Sequence, residues 1–134
     1  MAKIDLSTAE TEVNAWLDFR KVKESKRTAL KPSIDAIVEG IMDGVITIDP
    51  TSFEVTQKLN FPISTQDVTT DSIVFSSRVT TGEITKQIDG INSQNPMAVT
   101  IAYIAALTKK PKAFIEKMDS VDNAISGAIA SFFM

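Results

Sequence analysis

The chain has 134 residues, 43% hydrophobic and 23% charged, which is enough apolar sequence to build one core and too little charge excess for disorder. Its net charge of −3 and isoelectric point of about 4.9 argue against bulk nucleic-acid binding, which needs a basic surface. Cysteine and histidine are both absent, so disulfides, thiol chemistry, the commonest metal ligand and the usual general base near neutral pH all fall away.

The remaining residue types also point away from catalysis. The carboxylates are scattered and form no D-x-D-x-D loop. There is no P-loop and no G-x-G-x-x-G, and the chain has only five glycines. No enzyme, cofactor or metal is therefore expected. The opening MAKIDLSTAE lacks the apolar segment of a leader peptide, and no apolar run reaches the length of about 18 residues that spans a bilayer. The expectation is a cytoplasmic protein without a membrane partner.

Ser7 and Glu10 have the S-x-x-E spacing of a capping box and predict a helix over residues 8–24. Val13, Trp16, Leu17 and Arg20 share one face, with Phe19 at its edge. Trp16, the only tryptophan, reads either as a core anchor or as an interface hot spot. A basic run follows: Arg20, Lys21, Lys23, Lys26, Arg27 and Lys31 against the single acid Glu24. It reads either as a patch for nucleic acid or an acidic partner, or as a solvated helix end and linker. No aromatic residue is interleaved over residues 21–31, so a stacking platform for single strands is absent. A boundary falls near Lys31, with an N-terminal helical arm over 1–31 and a body over 32–134, together forming one domain.

Pro32 and Ser33 open a second helix with Ile34, Ile37, Val38 and Ile41 as its stripe and Gly44 as its C′ stop. Gly40 inside that helix marks a close packing contact. Residues 45–49 alternate like a strand, residues 50–52 turn, and residues 53–59 alternate again with Phe53, Val55, Gln57 and Leu59 on one side, predicting a β-hairpin. Phe61-Pro62-Ile63 continues extended, residues 64–70 read as a polar loop, and residues 72–76 as a third strand. Thr80 with Glu83 repeats the capping-box spacing before a short helix carrying Ile84, Ile88 and Ile91, and residues 92–95 form a loop.

Asn95 and Pro96 then start a helix with Met97, Ile101, Ile104 and Ala105 on one face. A basic break at Lys109, Lys110, Pro111 and Lys112 leads into a helical turn near residues 114–118. Asp119 or Ser120 caps a last helix striped by Ile125, Ile129 and Phe132 and flanked by Ala124, Ala128 and Ala130. Phe132, Phe133 and Met134 close the sequence with large apolar side chains, either tucked into the core or offered to a partner. The order of elements is that of an α+β chain, mainly helical, with a small antiparallel sheet of two or three strands packed with five or six helices.

From Lys58 onward the chain resembles the tail assembly chaperones of contractile-tailed bacteriophages. The resemblance is carried by an extended segment ending in a Pro-Ile pair (Leu59-Asn60-Phe61-Pro62-Ile63) and a strand leading into an arginine (residues 73–78). It continues through a Thr-Gly turn into a helix (Thr80, Thr81, Gly82, Glu83), a helix ending IAALT (residues 104–108) and the segment IEKMDSVD (residues 115–122), and closes on a terminal helix with Phe132 and Phe133. These are packing and turn residues. Residues 1–56 depart from the short members of that family.

The resemblance implies a non-enzymatic helper that coats the apolar tape-measure protein, helps recruit tail-tube subunits and self-associates along its client in the host cytoplasm. Trp16, Phe132, Phe133 and Met134 are the candidate partner-binding residues. The alternative is a structural tail or baseplate component of the same fold, retained in the virion. A third reading is a nucleic-acid-associated regulator using Arg20 to Lys31.

Overall fold

The computed structural model describes residues 4–92 and 94–134; residues 1–3 of the predicted arm and Ser93 of the predicted loop lie outside the described residues. Among the described residues the fold is α+β and mainly helical, with seven α-helices and one three-stranded antiparallel sheet in the order β1-β2-β3.

The first helix, α1 (Leu6–Phe19), is capped by Asp5, whose carboxylate accepts the Thr8 N–H at 2.8 Å, so Ser7 is not the cap. Ala9, Val13, Trp16 and Leu17 fall on one face and are buried. The helix stops well short of residue 24. Lys21 turns left-handed at φ 57°, and the Val22 and Lys21 N–H groups return to the Leu17 and Asp18 carbonyls, each at 3.0 Å. This is a Schellman closure with lysine where glycine is usual. A separate short helix, α2 (Glu24–Ala29), buries no residue.

The third helix, α3 (Lys31–Met42), carries its proline in the first turn and ends as expected, with Gly44 at φ 78°. Gly40 lies against Ile46 of strand β1 (Ile46–Ile48): a Cβ there would stand 2.5 Å from Ile46 Cδ1. The side chains of α1 share a single core cluster with those of α3, the sheet and the last helix, so the N-terminal helix packs into the same core as the body.

Strand β2 (Val55–Thr65) pairs with β1 through Ile46↔Gln57 and Ile48↔Val55, and β3 (Val68–Phe75) pairs along its other side. Two sequence expectations fail here. Phe53 is outside the strand, at φ 59°, with its ring stacked on Phe19 at 4.6 Å. The expected polar loop over residues 64–70 is instead the closed end of a hairpin, with Thr65↔Val68 paired around Gln66-Asp67. Between the pairs Lys58↔Ser72 and Ile63↔Thr70 the register shifts, so β2 bulges out over residues 59–62.

Val55, Leu59, Ile63, Ile73 and Phe75 point into the core, while Lys58, Ser72 and Val74 are exposed, so only one sheet face is covered. Helices cover it: α3 lies behind β1, α5 (Pro96–Thr108) behind β3, and α7 (Ser120–Ala130) behind β2. Between them come α4 (Thr81–Ile88), whose capping box at Thr80 and Glu83 forms as expected, and the short α6 (Lys112–Ile115). Asn95 caps α5 through the Ala98 N–H, and Asp119 caps α7 through the Val121 N–H.

In its second half α5 is buried almost all round, at Ala102, Ile104, Ala105, Ala106 and Leu107. It is therefore a central helix and not an amphipathic one. Its expected stripe is only partly inward, since Met97 is 57% exposed.

Candidate partner-binding site

Trp16 and Phe132, read from sequence as possible partner contacts, are core residues. Trp16 is 0% and Phe132 2% exposed, and their rings meet edge to face at 5.6 Å. The reason lies in α1 and in the 3₁₀ turn Ser131–Phe133, which together bury the largest side chains of both ends of the sequence against each other. Phe133 is half-buried, tilted 6.1 Å from Trp16, and Met134 alone of this group is exposed, at 44%.

The basic run largely braces this same packing. Arg20 donates through Nη1 to the Ser77 carbonyl at 3.0 Å and through Nη2 to the Phe132 carbonyl at 3.3 Å, and its guanidinium lies 3.5 Å from the centre of the Phe133 ring. Burial, with the nearby Arg78 charge adding to it, pulls the Arg20 pKa down to about 10. Lys26 donates to the Met134 carbonyl at 2.8 Å. Arg27 holds the Val22 carbonyl and the Asp18 carboxylate, and Lys31 pairs with Asp35. Lys21 and Lys23 are exposed. The run is thus neither a continuous open patch nor a loose linker: four of its cations point at partners within the chain.

A different constellation, not foreseen from sequence, sits where α7 meets the bulge of β2. Asp122, in the first turn of α7, is fully buried. Its Oδ1 accepts the Asn60 backbone N–H at 2.8 Å and Asn60 Nδ2 at 3.0 Å, and its Oδ2 accepts the Phe61 N–H at 2.9 Å. Gln57 Nε2 donates to the Asp122 carbonyl at 3.0 Å, and the Ser126 hydroxyl donates to Gln57 Oε1. The bulge leaves the Asn60 and Phe61 amides without ladder partners on β3, and the carboxylate satisfies both. Asp122 and Ser126 lie one turn apart on the inward face of α7, ahead of Ile129 and Ala130. The stripe expected from Ile125 is therefore rotated towards polar residues, because the bulge requires acceptors there.

The clamp has a second consequence, at the surface. Phe61, held through its own amide, is 54% exposed, and Val121, next to Asp122, is 52% exposed. Met97 comes close to the same turn through Asn123, whose Nδ2 lies 3.7 Å from its sulfur. Phe61 and Val121 are thus exposed apolar residues whose backbones adjoin one buried carboxylate, and Met97 is linked to the same turn of α7 through Asn123. Scattered single apolar residues need no explanation, whereas exposed apolar residues beside a rigid buried network, as Phe61 and Val121 are, make a candidate contact site. In sequence the two sides of it appeared only as separate segments of the family resemblance, residues 59–63 and 115–122.

Among the described residues no group of three or more acidic side chains could hold a metal ion, and no helix is long and apolar enough to cross a membrane. Compared with protein families, curated proteins and solved structures, the chain finds no match.

Proposed function

We propose that the chain is a non-enzymatic tail assembly chaperone of a contractile-tailed bacteriophage, acting in the host cytoplasm on the tape-measure and tail-tube proteins. One observation supports the reading above the others. Two of the stretches that carry the resemblance, Leu59 to Ile63 and Ile115 to Asp122, meet in the Asp122 clamp. They are bonded to each other there, and each carries an exposed apolar residue beside the clamp, Phe61 and Val121. A helper that shields an apolar client needs an apolar contact site on a stable body and no reacting group. Phe61, Val121 and Met97 are suited to supply that contact.

The test is co-expression with the tape-measure and tail-tube proteins of the phage that carries it, a pull-down, and a mass-spectrometric inventory of mature particles. A soluble complex together with absence from particles supports the chaperone. Stoichiometric presence in particles would replace it with the structural tail component. No complex and no presence in particles would remove the tail reading altogether.

A further inference from the structure

We propose that the open cleft between α1, α2 and α3 is a docking groove for a basic amphipathic helix of a partner protein. The cleft measures about 830 Å³. Its floor is apolar: Leu6 and Val13 from α1, and Ile34, Val38 and Met42 from α3. Leu6 is 52% exposed there, and Ile34 and Met42 are half-buried, so α1 and α3 leave apolar surface uncovered. The helix α2 does not close the gap, because none of its residues is buried; it only adds a third wall.

The dimensions and the backbone chemistry both select a helix as the occupant. Ile34, Val38 and Met42 step four residues at a time along α3, a ridge of about 12 Å, which is roughly two turns of a partner helix. An extended peptide would bring unpaired N–H and C=O groups against two helices whose own backbone groups are already bonded, whereas a helix satisfies its own. Leucine-sized side chains at helical spacing would fill the floor, with Met42 an adaptable contact.

The rim sets the partner's charge. Glu10, Glu24 and Glu39 line the cleft from three different helices, and none forms a salt bridge to another described residue. The cations on the rim are already engaged, Lys31 with Asp35 and Arg27 with Asp18 and the Val22 carbonyl. An apolar floor with three unanswered carboxylates around it is complementary to a stripe of leucines flanked by lysines or arginines. This inference stands on the cleft alone and does not depend on the tail-assembly reading. Its test uses no phage protein, so the two can fail separately.

The experiment titrates the full chain, followed by amide NMR, with a synthetic helical peptide of about four turns bearing leucines on one face and lysines beside them, and with a glutamate-flanked twin. The expected result is saturable shifts confined to residues 6–14 and 24–42 for the lysine peptide. Affinity should weaken about tenfold or more with the Glu10→Lys, Glu39→Lys double variant or for the glutamate twin, and should fall with added salt. The two exchanged residues are exposed, and an unchanged spectrum elsewhere certifies the fold. Equal binding of both peptides, shifts centred elsewhere, no binding at all, or cleft shifts that grow with protein concentration alone would each overturn the proposal, the last by making a second copy the occupant.

Discussion

Asp122 and Phe61 are 61 residues apart in the chain, yet the carboxylate of one accepts the backbone N–H of the other at 2.9 Å inside the protein. A buried carboxylate bonded to two main-chain amides is a strong and non-redundant link, because the amides it serves have no ladder partner in the bulge. Replacing it by Asp122→Ala leaves those groups unsatisfied and should lower stability by about 3–5 kcal/mol. Asp122→Asn keeps one acceptor oxygen and should lose less, about 1–3 kcal/mol. Urea unfolding of the two variants checks both the size and the order.

Gly40→Ala should destabilise, even though alanine is the better helix former by about 1 kcal/mol. The added methyl would stand 2.5 Å from Ile46 Cδ1 and 2.9 Å from Cγ1, and Ile46 is buried in the sheet with little room to move. Overpacking of that kind costs about 1–3 kcal/mol, so the net change should be a loss, read as a lower thermal midpoint.

Phe132 and Met134 should behave oppositely despite being two residues apart. Phe132→Ala removes a buried ring from its edge contact with Trp16 and should cost about 3–5 kcal/mol. Met134→Ala, at an exposed side chain, should change stability by no more than about 0.5 kcal/mol. Denaturant midpoints of the two single variants give the comparison.

Acid should destabilise the fold through three surface carboxylates that cap or pin turns. The Thr8 amide holds Asp5 below its ordinary pKa of 3.8, the Ser52 and Thr51 amides hold Asp49 below the same value, and Lys109, then Thr80, hold Glu83 below 4.5. Each folded-state value is depressed, so the contribution is present above the unfolded value and lost as pH falls through the folded one. Stability should be level from neutral pH to about 5 and decline below about 4, with Asp49→Asn showing a shallower decline. Urea midpoints taken across that range test the sign.

Local chemistry was legible in the sequence and distant chemistry was not. Thr80, Asn95 and Asp119 could be read as caps, and Gly44 as a stop, because each acts on amides or carbonyls within a few residues of itself. Gly40 was legible as a close contact, though not its partner Ile46. The end of α1 was hidden because Lys21, a poor left-handed residue, takes the place of a glycine, and the Gln66-Asp67 hairpin was hidden for the same reason, with Gln66 at φ 52°. The cap of α1 was misread, because Ser7 has the capping-box spacing with Glu10 while Asp5, two residues earlier, accepts the Thr8 N–H. Arg20 looked like part of a basic surface because its acceptors, the Ser77 and Phe132 carbonyls, lie far along the chain. The Asp122 clamp depends on a bulge that alternation cannot reveal, so the candidate site became visible only with the fold.

On the proposed function, the exposed residues beside that clamp, Phe61 and Val121, contact the tail proteins. The most direct measurement is the pull-down with tape-measure and tail-tube proteins repeated with Phe61→Asp and Val121→Asp combined, both exposed positions where the substitutions should leave the circular dichroism unchanged. The account expects the wild-type chain to form the soluble complex and the folded double variant to lose it by at least about tenfold in affinity. A double variant that folds and binds as well as the wild type would contradict it.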